Sequence, residues 1–488
     1  MPKNLLEKCN FLAVNLLEKC KSCYLCSRNH LIRRSMLQRK NEAIIRDFLL
    51  NDEKRALLVT GARQTGKTFS IRRVAKEIFD HVVEVNFIES PEAKAIFSNP
   101  RDAQEILLRL SAFAGEPMVS GRTLIFFDEV QECKDIVTAI KFLVDEGSYR
   151  YVMSGSLLGI ELKDIRSIPV GYMSVLEMYP LDFEEFAEAV GVGRDVISHL
   201  QECFQQVKPV DDFVHRRMLE LMHHYLLVGG MPAVVQTYID TNNVRNIVAT
   251  QQDIINAYKL DISKYAEGKK LQIDEIYELI PSELNAKNKR FVLKELNEKA
   301  RFQRYENDFL WLKDAGVAIP VHNVEEPKLP LLLGKQRNLL KLFLSDVGLL
   351  AAMYGNQIQM RLFSGDININ YGAIYENFVA QELCAHGLAT NHSLYYFNSK
   401  KQGELDFVVE YENHVLPIEV KSGKNYARHN ALSNVLSNVE YDISRAFVLC
   451  QDNVGTKGKI TYLPIYMAMF IKRSEVADQI IRFDTSGL

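Results

Sequence analysis

Short apolar runs and helical stripes take turns along the first third of the chain. ALLVT (Ala56–Thr60), TLIFFDEV (Thr123–Val130) and YVMSGS (Tyr151–Ser156) are brief and nearly unbroken, as expected of strands buried in a parallel sheet. FSIRRVAKEIF (Phe69–Phe79) spaces its apolar residues for a helix. From Asp182 to about Ser263 the pattern is one of amphipathic helices, with GGMP as a loop between two of them. IDEIYELIPSEL, RFVLKELNEK and ARFQRYENDFLWLKDAG predict three further helices, the last stopped by Gly316, and VAIPVHNV follows as a wing strand. The stretch from Ile273 to Val324 thus has the rhythm of a winged helix. The remainder predicts a helix (Ile374–Leu383), three strands (Leu394–Asn398, Gly403–Tyr411, Val415–Gly423), a helix (Ala431–Val439) and a strand (Arg445–Cys450).

A chain of 488 residues exceeds one hydrophobic core, so two to four domains are expected. No run approaches the ~18 apolar residues of a membrane span, and the expectation is a soluble, cytoplasmic protein without a membrane partner. A net charge of −3 gives no global case for nucleic acid, so any such case must be local. The local case is Lys287, Lys289, Arg290, Lys294, Lys299, Arg301 and Arg304 around the expected winged helix, suited to a phosphate backbone or to a solvated helix face. Four cysteines crowd the basic N-terminus (Cys9, Cys20, Cys23, Cys26); the stretch Cys20 to His30 could supply zinc ligands, but the second spaced ligand pair is missing, and a poorly ordered extension over 1–35 is expected. Cys133, Cys203, Cys384 and Cys450 sit singly in apolar surroundings and are expected as reduced core residues. Trp311, the one tryptophan, is likewise expected in a core.

GARQTGKT is a full P-loop motif between an expected strand and an expected helix. Gly61, Ala62, Arg63, Gln64, Thr65 and Gly66 would curl backbone N–H groups around phosphates of ATP at the helix N-terminus. Lys67 would reach the β- and γ-phosphates, and Thr68 would ligate Mg2+. TLIFFDEV ends in two acids: Asp128 would help hold the magnesium, and Glu129 would polarise the attacking water. A strand YVMSGS lying between those two would bring Ser154 or Ser156 near the γ-phosphate.

Further along, PIEVKSG (Pro417–Gly423) sets Glu419 and Lys421 on the same side of a buried strand. That is either a salt bridge at a strand end or half of a metal-dependent site.

GARQTGKT, LIFFDEVQ, MSGS and MYPLDFEEF (Met178–Phe186) resemble AAA-type ATPases of bacteria and archaea that carry an uncharacterised endonuclease-like C-terminal domain. LLVGGMP (Leu226–Pro232), YENDFLWLKDAG (Tyr305–Gly316) and LFLSDVGLL (Leu342–Leu350) fit the same family. The resemblance implies a multidomain α/β protein with an additional-strand P-loop ATPase core (36–180), a helical lid (181–265), a winged helix (266–330), a connector (331–365), a restriction-endonuclease-like domain (366–475) and a tail (476–488). Many relatives carry a Gly-Arg pair before the PLDFEEF stretch; here Tyr172 stands where that arginine would be, leaving Arg166 or a neighbouring subunit of a homo-oligomer to supply the cation. The C-terminal layout is similar to the PD-(D/E)XK nuclease fold, whose signature falls on Glu376, Asp406, Glu419 and Lys421. Asp406 and Glu419 would ligate Mg2+ and Lys421 would orient or deprotonate a water, with DNA a likelier substrate than RNA. Gln402, Glu404, Lys424 and Asn425 flank the site, either as groups that support it from behind or, as the expectation has it, as exposed loop residues. The rival expectation is a nucleotide-dependent switch or scaffold whose C-terminal domain binds a partner without cutting.

Overall fold

The computed structural model describes residues 37–51, 53–115, 117–156, 171–265, 269–286, 289–291, 302–363, 372–389, 393–423 and 425–473. The cysteine-bearing extension, Arg166, Lys424, the 476–488 tail, and Lys287, Lys294, Lys299 and Arg301 of the basic stretch lie outside them. Arg39 to Leu488 forms one compact unit.

β1 (Ala56–Thr60), β2 (His81–Asn86), β3 (Thr123–Asp128), β4 (Arg150–Ser154) and β5 (Met173–Glu177) form a five-stranded sheet in the order β2-β3-β4-β1-β5. Every pairing is parallel. Both faces of β1, β3 and β4 are covered, which is why these three read as nearly unbroken apolar runs. Along β3, Ile125 and Phe127 face one core with Phe87, Phe97 and Ile140, while Leu124 and Phe126 face another with Ile45, Val74 and Val152. β4 lies between the P-loop strand and the acid-bearing strand, as anticipated from the sequence.

The second sheet has eight strands: β6 (Ala318–Val324), β7 (Lys335–Leu344), β8 (Leu394–Ser399), β9 (Gly403–Tyr411), β10 (His414–Val420), β11 (Ala446–Cys450), β12 (Gly455–Lys457) and β13 (Ile460–Pro464). Their order is β12-β13-β11-β10-β9-β8-β6-β7. The stretch expected as a wing strand is therefore an interior strand, parallel to β8 and antiparallel to β7. Six of its seven residues are buried, whereas a wing hairpin keeps one face in solvent. The expected connector supplies β7 to the same sheet. Helices Lys270–Asn285 and Phe302–Asp314 form where two of the winged-helix helices were expected, and Trp311 is buried.

Helix Gly372–Ala385 is buried from Ala373 through Cys384 on every side. It packs against β7, β8 and β10 and against helix Asp212–Val228, so no solvent-facing stripe is required of its sequence. Cys133, Cys203, Cys384 and Cys450 are buried free thiols. Among the described residues, no helix is long and apolar enough to cross a membrane.

Candidate nucleotide and carboxylate sites

The P-loop turns out of β1 through backbone conformations that its glycines allow. Gly61 has φ 133° and Gly66 φ 93°, the left-handed side of the map, and a side chain at 61 would run into the Met178 carbonyl. Gly66 then caps helix Lys67–Ile78. The Lys67 ammonium donates to the Gly61 and Ala62 carbonyls at 3.0 and 2.7 Å, and Thr65 Oγ1 donates to the Ala62 carbonyl at 3.0 Å. Burial pushes the Lys67 ammonium down to about 8, against the pull of Glu129 and Asp128.

Asp128 ends β3 with its carboxylate among neutral donors. Thr68 Oγ1 donates to Oδ2 at 3.0 Å, Asn86 Nδ2 to Oδ2 at 3.3 Å, the Glu129 N–H to Oδ1 at 3.0 Å, and the Ser154 hydroxyl to Oδ1. Burial raises the Asp128 carboxyl, and the Ser154 and Thr68 hydroxyls oppose the rise. Glu129 stands next in the chain at φ 56°, an uncommon conformation for a residue with a side chain, and accepts from Gln131 Nε2 at 2.6 Å. Ser156 is buried nearby in sequence, its hydroxyl without a hydrogen-bond partner.

The middle of the chain closes around this loop. Arg63 is ion-paired with Asp261 of helix Val244–Tyr265, and Tyr258 of the same helix donates to the Arg63 carbonyl at 3.2 Å. A Cβ at Gly316 would stand 2.7 Å from the Ala62 nitrogen, so the end of helix Phe302–Asp314 touches the loop backbone. Tyr172, in the position of the missing arginine, lies at the opposite end of the sheet: its carbonyl accepts from the Ala56 N–H, at the start of β1. Four strand residues, roughly 13 Å, separate that end from the loop, too far for a side chain to serve the phosphates.

The loop fits a bound nucleotide. It has a glycine-lined cradle, a desolvated ammonium held only by carbonyls, and a carboxylate one hydroxyl away from the cradle. Thr68 and Asp128 would hold magnesium there.

The C-terminal constellation also converges, on different terms. In the β9–β10 register Phe407 opposes Ile418, so the next step sets Asp406 opposite Glu419. Asp406 Oδ2 accepts from the Val420 N–H at 2.8 Å. Glu376, on the buried helix Gly372–Ala385, and Asp406 both bear on Glu419: burial first, then Asp406 raises the Glu419 carboxyl to about 8, with Lys421 opposing. Burial and Asp406 also raise the Glu376 carboxyl, against Lys341 and Lys289.

Ammonium groups supply the counter-charge. Lys421 Nζ lies 2.6 Å from Glu419 Oε1, and Lys289 is ion-paired with Glu376 Oε1. Lys341, fully buried in β7, lies 2.7 Å from Glu404 Oε1 and 3.9 Å from Glu376 Oε2, over the face of Tyr396. Glu404 is thus part of the cluster rather than an exposed loop residue. Glu376 Oε2 and Glu419 Oε2 are buried without hydrogen-bond partners. Among the described residues, no group of three or more His, Cys, Asp or Glu is arranged to hold a metal ion, so as placed these carboxylates fit ammonium better than magnesium.

Sequence reasoning missed Arg39, Asn86 and Lys341, and read Lys289 only as part of a basic patch and Gly316 only as a helix stop. Lys341 carried a signal of the kind seen at Glu419, a charge inside the apolar run LLKLFL. Arg39 and Asn86 belong to no motif.

The first sheet's order, the P-loop and the acid at the end of β3 define a P-loop nucleotide-hydrolase fold, and the chain carries an AAA-type ATPase domain: residues 53–187 match the family model described as AAA domain. Residues 219–359 and 371–467 match two families each described as a domain of unknown function (DUF8612 and DUF4143). Among curated proteins, no sequence matches. Similar solved structures include a Walker-type ATPase of Pyrococcus abyssi (14% identity, 66% of this chain, 97% of that one, TM-score 0.40). Others are the Orc1 protein of Aeropyrum pernix in complex with DNA (12%, 69% and 95%, 0.25) and RuvB of Thermotoga maritima (12%, 60% and 91%, 0.28).

Proposed function

We propose that the chain binds and hydrolyses ATP at the P-loop and couples that cycle to a DNA-directed, nuclease-like C-terminal domain. The observation that supports the first half is Asp128, desolvated among neutral donors and within hydrogen-bond distance of Thr68. Lys67 leaves the Gly61 and Ala62 carbonyls for the phosphates, Thr68 and Asp128 hold magnesium, and Glu129 orients water for in-line attack. Magnesium held there by Thr68 and Asp128 would supply neutralisation of charge on the phosphate oxygens. Steady-state hydrolysis by wild type and Glu129→Gln tests this: the variant should bind ATP and fail to turn it over. Equal turnover by both proteins removes Glu129 from the site.

The C-terminal half of the proposal is supported by two buried carboxylate oxygens without hydrogen-bond partners, Oε2 of Glu376 on a helix and Oε2 of Glu419 on a strand, with Asp406 acting electrostatically on both. Supercoiled plasmid incubated with ATP and Mg2+ or Mn2+ tests it: retention at low salt supports the DNA-directed reading, and nicking by wild type that Glu419→Ala abolishes would mean the carboxylates give up their lysine partners for a metal. A second reading, a nucleotide-dependent switch whose C-terminal domain binds without cutting, is favoured by the lysine pairing of the same carboxylates. Plasmid left intact by both proteins, with none retained at low salt, decides for it.

A further inference from the structure

One buried guanidinium joins the P-loop to the turn from Tyr179 to Glu185. Arg39 donates through Nη1 to the Thr65 carbonyl at 2.7 Å and through Nη2 to the Tyr179 carbonyl at 2.7 Å. Its Nε lies 3.2 Å from both oxygens of Glu185. A buried charge is tolerated only when saturated in this way, and a planar fork is the group that reaches a loop carbonyl and a carboxylate together. Glu185 closes a capping box with Asp182 at the start of helix Phe183–Ala189, and its carboxylate also accepts from the Lys40 N–H at 2.6 Å.

The same turn is gripped from its other side by C-terminal residues. The Phe183 N–H donates to Glu382 Oε1 at 3.0 Å, and His386 Nε2 lies 3.3 Å from Asp182 Oδ2. Lys472 and Lys40 each place an ammonium 2.7 Å from Glu184 Oε2. Burial alone would raise the Asp182 carboxyl, but Lys40 and His386 beside it hold it well below the usual carboxylate range. Glu382 belongs to helix Gly372–Ala385, the helix that carries Glu376 about 9 Å away along its axis.

We propose that Arg39 is a positioning residue of the nucleotide site, and that the turn from Tyr179 to Glu185 passes the state of the P-loop to helix Gly372–Ala385. The proposal rests on the ATP-site reading above. Phosphates in the cradle draw Lys67 off the Gly61 and Ala62 carbonyls, and the Thr65 carbonyl belongs to the same short loop. Arg39 cannot follow that carbonyl without shifting Glu185 and Tyr179, because its Nε and Nη2 are engaged on them. Glu185 and Asp182 share one capping box, so the shift reaches Glu382 and His386 directly.

Hydrogen exchange of the full chain with and without ATPγS and Mg2+ tests this. In wild type the amides of Gly372–Ala385 should change their exchange by about threefold or more on nucleotide binding. Arg39→Met should bind ATPγS more weakly and, at saturation, lose that response, with Arg39→Lys recovering part of both. Asp182→Asn should lose the response with the KM for ATP unchanged, a split that a general loss of stability does not produce. If Arg39→Met does not fold, Arg39→Lys and Asp182→Asn decide. An undiminished response in the folded variants overturns the proposal, as does a wild type that binds ATPγS with no change in the helix. A wild type that binds no ATPγS removes the nucleotide reading itself, and this inference with it.

Discussion

The carboxylates at the two sites are buried to similar degrees and neutralised in opposite ways. Asp128 is 3% exposed and receives two hydroxyls, an amide and a backbone N–H, none of which carries charge. Glu376 and Glu419, 2% and 6% exposed, face the ammonium groups of Lys289, Lys341 and Lys421. Neutral donors solvate a carboxylate but leave its charge available to a cation, whereas an ion pair consumes it. The proposed nucleotide site therefore leaves its carboxylate charge free for a cation, while the C-terminal carboxylates are already paired with ammonium groups of the chain.

The contrast can be broken from either side. The largest effect is expected of Lys341→Met, which strips a fully buried counter-ion from Glu376 and Glu404; breaking such a pair costs about 3–5 kcal/mol, read from chemical denaturation. A near-neutral result would mean that the C-terminal carboxylates do not depend on internal ammonium. Next comes Lys67→Ala, which should lower ATP turnover by about 10²–10³-fold. Retained turnover would place hydrolysis elsewhere. A pH series sharpens the same site: burial depresses Lys67 to about 8, so the charged form that phosphate needs is present below that pH and lost above it. The kcat/KM for ATP should fall roughly tenfold per pH unit above 8, an ionisation of the free enzyme. The smallest effect is expected of Ser154→Ala, which removes one neutral donor from Asp128 and should cost about 1 kcal/mol of stability, well short of the lysine.

How far the sequence disclosed these sites depended on how local their determinants are. GARQTGKT, the acids after β3 and the hydroxyls after β4 each sit at the end of one apolar run, and the parallel order follows once YVMSGS falls between the other two strands. That Asp406 and Glu419 lie near one another was legible for the same reason, since their strands are joined by a tight turn. VAIPVHNV misled because its partner is remote: Val321 pairs with Leu394, and nothing within the segment distinguishes a wing from an interior strand. Lys341 and Arg39 were illegible in their roles because each finds its carboxylates through tertiary packing. The apolar run around Lys341 does announce a buried charge, but not which acids receive it.

The contrast meets its sharpest test in Mn2+ binding to the full chain, followed by electron paramagnetic resonance with and without ATP. One protein-bound Mn2+ is expected that needs ATP, is lost in Asp128→Ala and persists in Glu419→Ala. Mn2+ held without nucleotide and released by Glu419→Ala would contradict it.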